Sequence, residues 1–266
     1  MIPLKDQEYL REKFARELAS QVRIDFFTQK ETSLFVPGRQ PCQYCKPTRQ
    51  MLEEVAALSD LISLRQHTID EDREAFTRYG VDKIPALVLP AGDGRWLKYF
   101  GFPGGHELLT LVETIVDLSR GERLLADGVR KRLRKLKKDV LIQVFVTPSC
   151  PYCPQMARLA YHMALESPRI SAEVIEAQEF PELSQRFKVR AVPTTVIDGK
   201  TMVPGAVPDT ALMDVIERVV QPTSLAEAAP EAGPTTPAEQ PKAPTGRGKI
   251  ILPLSLIHIS EPTRPY

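Results

Sequence analysis

Two Cys-x-x-Cys pairs lie 108 residues apart in this chain of 266 residues, and a second feature repeats with the same spacing. The leading cysteines are Cys42 and Cys150, and each is followed 43 residues later by a proline that comes after an apolar residue, at Pro85 and Pro193. Two different motifs that share one offset indicate an internal repeat. The sequence therefore predicts two copies of one unit of about 100 residues and excludes a single small module.

Each copy shows the same order of predicted elements. In the second copy, the apolar run Leu141–Thr147 predicts a buried strand that ends just before Cys150, and this cysteine is predicted to open a helix. After the apolar-proline step, Thr194–Ile197 and Thr201–Val203 flank an Asp-Gly pair and predict a β-hairpin. The first copy repeats this order, with about 11 extra residues between its first strand and its cysteine pair.

The chain divides into three predicted parts. We expect an α/β fold of two tandem units, residues 1–120 and 121–221, each with a central mixed β-sheet flanked by helices. Helices at Asp6–Ser20 and Glu122–Lys138 are predicted to precede the first strand of each unit. Residues 222–266 are rich in proline and predict a disordered tail. The last 13 residues, LSLIHISEPTRPY, look like a translated sequencing adapter and are not expected to belong to the natural protein.

Charge and hydropathy point away from nucleic acids and membranes. The net charge is +1 at pH 7, and the basic run Arg130–Lys138 is interrupted by leucines at helical spacing, so we interpret it as a solvated helix face. No apolar segment approaches the roughly 18 residues of a membrane span, and the opening residues lack the pattern of a secretory leader. We therefore expect a cytoplasmic protein. Its four histidines show no spacing typical of a metal site.

The four cysteines are the residues best suited to chemistry, since none lies outside the two pairs. A thiol at a helix N-terminus is close to unpaired backbone N–H groups and the positive end of the helix dipole, which favour the thiolate. We therefore predict that Cys42 and Cys150 attack a disulfide. Cys45 and Cys153, one turn further on, are predicted to resolve the resulting mixed disulfide.

A strand, a Cys-x-x-Cys helix and an apolar-proline strand in this order resemble the thioredoxin fold. The motif CPYC at Cys150 is similar to the glutaredoxin active site, and CQYC at Cys42 is a near variant. Two such units in tandem resemble the protein disulfide oxidoreductases of thermophilic prokaryotes. The resemblance extends over about residues 6–220 and includes the segments Tyr99–Glu107 and Val144–Pro154.

This resemblance implies further properties. Pro85 and Pro193 would be cis-prolines that face the cysteine pairs, and the preceding Ile84 and Val192 would offer backbone groups to a substrate strand. The implied activity is thiol-disulfide exchange in protein substrates, with no cofactor besides the redox-active disulfides. The implied partners are proteins with disulfides or dithiols and an electron donor similar to thioredoxin reductase.

Other interpretations of the cysteine pairs remain. A zinc ribbon is disfavoured because its pairs lie roughly 15–20 residues apart, far closer than the pairs in this chain. Glutaredoxin-type chemistry on glutathione is favoured by CPYC, but no basic cluster for the glutathione carboxylates is evident. A redox-inactive or metal-binding module is a third alternative. The direction of electron flow cannot be read from these residues, although the longer loop before Cys42 predicts that Cys150 is the more accessible and faster site.

Overall fold

The computed structural model describes residues 2–30, 41–122 and 124–220. The strands are β1 (Val22–Thr28), β2 (Ile62–Thr68), β3 (Ala86–Pro90), β4 (Trp96–Phe100), β5 (Val140–Val146), β6 (Ile170–Glu176), β7 (Thr194–Ile197) and β8 (Thr201–Pro204). The helices are α1 (Leu4–Glu17), α2 (Cys45–Ala56), α3 (Arg73–Tyr79), α4 (Glu107–Arg120), α5 (Asp127–Leu133), α6 (Cys153–Glu166), α7 (Pro181–Arg186) and α8 (Asp209–Val220).

These eight strands form one mixed sheet in the order β2-β1-β3-β4-β6-β5-β7-β8. Each half has the same arrangement, in which the first strand pairs parallel with the second and antiparallel with the third. The halves join where β4 pairs parallel with β6. The predicted α/β fold of two units is confirmed, but their sheets are continuous because each unit presents an edge strand whose backbone groups the other can pair.

The central strands β1 and β5 are buried on both faces of the sheet. In β5, Val144 and Val146 belong to one apolar core, and Phe145 belongs to the core on the opposite face. In β1, Phe26 and Phe27 are divided in the same way. Strands buried on both faces favour apolar residues at successive positions, which explains the nearly continuous apolar run of β5 and the adjacent phenylalanines of β1. Both cores contain residues of both units, so the units share their packing.

The helix predicted at Glu122–Lys138 is wrong in length. The structure has only α5, Asp127–Leu133, and the next residues form tighter turns because the chain must enter β5 at Val140. Only the first four residues of the basic run lie in α5, so its interpretation as one helix face is wrong beyond Leu133, and several of its arginines pair with carboxylates of α6 and α8. The ion pairs are Arg130–Glu166, Arg134–Glu166, Arg132–Asp214 and Arg132–Glu217.

A buried polar network also joins the units where α4 packs against α6. Asp117 of α4 accepts a hydrogen bond of 2.8 Å from Arg158 and lies 3.1 Å from the Nε2 atom of His162. Burial opposes ionisation of Asp117, but the hydrogen bonds from His162 and Arg158 outweigh it and hold the pKa of this carboxyl below its usual range. His162 therefore has a structural partner. The domain limit between residues 120 and 121 stays a prediction.

The predicted disordered tail, 222–266, lies outside the described residues. Within the described ranges, no helix combines the length and the apolar character that crossing a membrane requires.

Candidate active site: two cysteine pairs and a groove between the units

Both cysteine pairs are closed disulfides at the start of a helix. Cys42 is bonded to Cys45 with a Cα–Cα distance of 5.4 Å, and Cys150 is bonded to Cys153 with a Cα–Cα distance of 5.5 Å. The second cysteine of each pair is the first residue of α2 or α6. The leading cysteine therefore lies in the turn before the helix, close to the backbone N–H groups that the first helical turn leaves unpaired.

The leading cysteine is the more exposed member of each pair. Cys45 is 4% exposed while Cys42 is half-buried, and Cys153 is fully buried while Cys150 is 7% exposed. This difference suits an attacking thiol in front and a resolving thiol behind it, although the roles stay a prediction. The exposures give no support to faster attack by Cys150, and residues 31–40 of the loop on which that prediction rests lie outside the described residues.

Two cis peptide bonds precede the predicted prolines, at Ile84-Pro85 and Val192-Pro193. The carbonyl oxygens of both prolines accept a hydrogen bond of 2.8 Å from the glycine that follows the hairpin of the same unit. Within the described part of the chain, the N–H and C=O groups of Ile84 and Val192 form no hydrogen bond. Such free backbone groups can pair with a strand of another chain, and this role of the four residues stays a prediction.

A cavity of about 1030 Å³ lies beside the first cysteine pair and is lined by both units. The first unit contributes the turn that carries Cys42 and the loop that carries Ile84 and Pro85. The second unit contributes the segment 178–183 between β6 and the first turn of α7. We call this cavity the inter-unit groove; its lining residues are Pro41, Cys42, Gln43, Tyr44, Lys83, Ile84, Pro85, Gln178, Glu179, Phe180, Pro181, Glu182 and Leu183.

The ionisable residues of the inter-unit groove differ in whether an opposite charge lies next to them. Lys83 forms an ion pair with Asp82, and its Nζ atom lies 3.7 Å from the centre of the Phe100 ring. Glu182 is exposed and forms no ion pair with the described residues. The groove therefore presents an uncompensated carboxylate on the wall of the second unit.

Glu179 is the third ionisable residue of the groove, and it forms a hydrogen bond with the first unit. Its Oε1 atom accepts a hydrogen bond of 2.6 Å from the backbone N–H of Phe102. Burial, with the nearby charge of Glu176, raises the pKa of Glu179 to about 8. This carboxyl is mostly protonated at pH 7.

The second cysteine pair contacts a loop of the first unit. The N–H of His106 donates a hydrogen bond of 2.9 Å to the carbonyl oxygen of Pro148, two residues before Cys150. Gly105 has a φ of +56°, and a Cβ atom there would lie 2.4 Å from the same oxygen. Only glycine fits this contact without displacing backbone.

Glu107 is a candidate residue of the second site that the sequence analysis did not identify. It is the first residue of α4, directly after His106, and its side chain is fully buried. Burial raises its pKa to about 8. Burial also raises the pKa of Tyr161 of α6, and the charge of Glu107 adds to this effect. One signal was available, because Glu107 follows two glycines and a histidine at the start of an apolar helix.

All four cysteines are disulfide-bonded, and none is left as a thiol. Within the residues that the structure describes, no group of three or more His, Cys, Asp or Glu side chains is arranged to hold a metal ion.

Comparisons with known proteins agree with this geometry. The thioredoxin domain family matches residues 140–217. Thioredoxin from Methanocaldococcus jannaschii is 35% identical over 80 residues, which are 30% of this chain and 94% of that protein. An alkyl hydroperoxide reductase component from Xanthomonas campestris pv. phaseoli is 28% identical over 150 residues, 56% of this chain, and the match spans only 27% of that relative's length. The crystal structure of a protein disulfide oxidoreductase from Aeropyrum pernix k1 superposes with a TM-score of 0.73 at 27% identity, covering 82% of this chain and 93% of that one.

Proposed function

Because the chain belongs to the thioredoxin family, we propose that it is a thiol-disulfide oxidoreductase that acts on protein disulfides through both of its cysteine pairs. The observation that carries this proposal is the arrangement at each pair. A disulfide at a helix start, with its leading cysteine the more exposed, occurs in both units. Each unit also has a cis-proline loop with unpaired backbone groups.

The reaction begins with a reduced pair. The thiolate of Cys42 or Cys150 attacks one sulfur of a substrate disulfide, and the other substrate sulfur leaves as a thiolate and takes up a proton. A mixed disulfide now joins the protein and its substrate. Cys45 or Cys153 then loses its proton and attacks the mixed disulfide, which releases the second substrate thiol and closes the protein disulfide. Two electrons pass from the pair to the substrate, and the reverse sequence oxidises a substrate dithiol.

Each helix start supports the attacking thiolate. The first turn of α2 or α6 directs backbone N–H groups and the positive end of the helix dipole toward the leading cysteine. This environment lowers the pKa of a thiol and raises the fraction of thiolate at neutral pH.

We further propose that Glu107 exchanges a proton at the second pair. Cys153 is fully buried and must lose its proton before it attacks, while water has little access to it. A carboxyl whose pKa is raised to about 8 is mostly protonated at pH 7, so it can donate a proton at neutral pH and accepts one only after it has ionised. We propose Glu107 for this proton exchange because it directly follows His106, whose N–H donates a hydrogen bond to the carbonyl oxygen of Pro148 shortly before Cys150.

The partners follow from this chemistry. Substrates are proteins with disulfides or dithiols, bound as extended strands on the backbone of Ile84 and Val192. An electron donor similar to thioredoxin reductase restores the dithiols, and no cofactor besides the two disulfides takes part. A cytoplasmic location fits the cysteine usage, because all four cysteines are in Cys-x-x-Cys pairs and none forms a long-range structural bridge.

Insulin reduction by dithiothreitol tests the proposal. Wild-type protein should accelerate precipitation of the insulin B chain, and the double variant Cys42→Ser with Cys150→Ser should not, with a far-UV circular dichroism spectrum like that of wild type. Wild-type rates in the double variant would overturn the assignment of the cysteine pairs.

A further inference from the structure

The two cysteine pairs differ in what lies on the outer side of their cis-proline loops. At the first pair, β4 is followed in the sheet by β6 of the second unit, so segment 178–183 faces Ile84 and Pro85. At the second pair, the sheet formed by the described residues ends with β8. Among the described residues, only the cis-proline loop of the first pair therefore faces a wall that the other unit supplies.

We propose that the inter-unit groove binds an extended polypeptide segment of the protein substrate, and that segment 178–183 selects segments with a basic residue near the reacting cysteine. This inference rests on the proposed function, because it names the substrate preference of one of its two sites.

The shape of the groove suits a polypeptide. Its volume of about 1030 Å³ lies at the upper end of the range for small-ligand pockets. The free N–H and C=O groups of Ile84 can add a substrate strand beside the attacking sulfur of Cys42. On the opposite wall, Phe180 and Leu183 are half-buried and offer apolar surface to substrate side chains.

The charge of the groove decides which polypeptides fit. The charge of Lys83 is compensated by Asp82, and Glu179 is mostly neutral at pH 7. Among the described lining residues, Glu182 is therefore the charge that has no ion-pair partner, and it is negative. A lysine or arginine in the substrate would pair with Glu182, whereas an acidic segment would be repelled. Glutathione has two carboxylates and one ammonium group, so the same charge disfavours it at Cys42.

The repeat provides a matched control for Glu182. Glu74 lies 108 residues earlier, at the equivalent position of α3, and its side chain is 88% exposed. It does not line the inter-unit groove. The same charge reversal at Glu74 and at Glu182 thus separates an effect of the groove from a general effect of net charge.

The experiment uses the full chain with Cys150→Ser and Cys153→Ser, so that only the first pair reacts. The probes are two nine-residue peptides that differ in one position, arginine or glutamate two residues after a single cysteine, each as a mixed disulfide with thionitrobenzoate. Attack by Cys42 releases the coloured thionitrobenzoate anion and leaves the peptide bonded to Cys42, and Cys45 then releases the peptide as a thiol. The release of colour from the reduced protein gives kcat/KM for each peptide.

We expect kcat/KM to be about fivefold higher for the arginine peptide, as for one ion pair at a partly exposed site. Glu182→Lys should reverse this preference, and Glu74→Lys should leave it unchanged. The preference should also shrink in 1 M salt, where the screening length is about 3 Å.

Two results would overturn the inference and leave the proposed function intact. One is an unchanged preference in Glu182→Lys. The other concerns the variant that retains only the first pair: its thermal melt shows that it is folded and wild-type protein reduces insulin, yet the variant attacks neither peptide. If wild-type protein attacks neither peptide and does not reduce insulin, the proposed function itself is overturned.

Discussion

The backbone N–H of His106 in the first unit donates a hydrogen bond of 2.9 Å to the carbonyl oxygen of Pro148 in the second unit. Pro148 lies two residues before Cys150, so the first unit contacts the backbone that leads to the predicted attacking cysteine of the second unit. The dependence is mutual, because Glu179 of the second unit lines the groove at Cys42 and accepts a hydrogen bond from Phe102 of the first. Each cysteine pair is thus completed by the unit that does not carry it.

Gly105→Ala should damage the second site selectively. The new Cβ would lie 2.4 Å from the Pro148 oxygen at a φ of +56°, so the backbone before Cys150 must move. We expect a loss of about 1–3 kcal/mol in the free energy of unfolding. Insulin reduction by the second pair alone, measured with Cys42→Ser and Cys45→Ser, should fall more than reduction by the first pair alone.

Gly128→Ala is the control for this substitution, because a Cβ atom there meets nothing within 4 Å. It lies in α5 and should be neutral or should stabilise the protein by up to about 1 kcal/mol. Equal losses of reduction at the two pairs in Gly105→Ala would contradict a local role of the contact between Gly105 and Pro148.

Cys153→Ser should trap a mixed disulfide between Cys150 and substrate. Attack proceeds in this variant, but the thiol that would resolve the intermediate is absent. A non-reducing gel of the variant mixed with reduced and partly reoxidised insulin should show a band that dithiothreitol removes. Cys45→Ser should behave in the same way at Cys42. The absence of such a band in both variants would contradict the assigned order of attack and resolution.

Glu107→Gln should change how stability depends on pH. Burial raises the pKa of Glu107 to about 8 from the usual 4.5, so the neutral form is favoured in the folded protein. Between these values the unfolded chain is ionised at this position and the folded protein is not. The contribution to stability is therefore full below pH 4.5, falls by up to about 1.4 kcal/mol per pH unit above it, and is lost above pH 8.

Urea unfolding at several values between pH 5 and 8 measures this slope. Glu107→Gln should flatten it, because a glutamine does not ionise, whereas Glu8→Gln on the exposed face of α1 should keep it. The same slope in wild type and Glu107→Gln would show that the carboxyl is not held neutral.

Truncation after Gln221 should leave the Tm and insulin reduction nearly unchanged. The removed residues are rich in proline and polar groups, and such a segment buries too little apolar surface to offset the entropy of ordering it. Differential scanning calorimetry measures the Tm, and the insulin assay measures the activity. A Tm lower by more than a few degrees would show that the segment packs against the rest of the chain.

Local patterns predicted most of the elements but not their assembly. The bounds of β7 and α8 follow from apolar periodicity and from the Asp-Gly turn, which are properties of short stretches of chain. The pairing of β4 with β6 joins edge strands that lie far apart in the sequence, and no local pattern distinguishes it from two separate sheets. The inter-unit groove depends on this pairing, so it could not be predicted from the sequence either.

The cysteines and the two prolines could be found because a repeated spacing marks them, and the cis geometry of the prolines followed from the resemblance to the thioredoxin fold. Glu107 could not be found in the same way, because the position 108 residues later in the second unit is Val215, so the repeat does not mark a carboxyl there. The helix at Glu122–Lys138 was predicted too long because arginine, lysine and leucine favour helices, while the need to turn into β5 is a tertiary constraint.

The order of strands makes the assembly directional. β4 of one unit accepts β6 of the next, and β8, the counterpart of β4, ends the sheet that the described residues form. A third unit fused after α8 could therefore dock on β8 by the same parallel pairing and enclose the cis-proline loop at Val192 as the second unit encloses the loop at Ile84. In a longer array of this kind, each junction between units would enclose one cis-proline loop. The cis-proline loop of the last unit would always stay open at the free edge of the sheet.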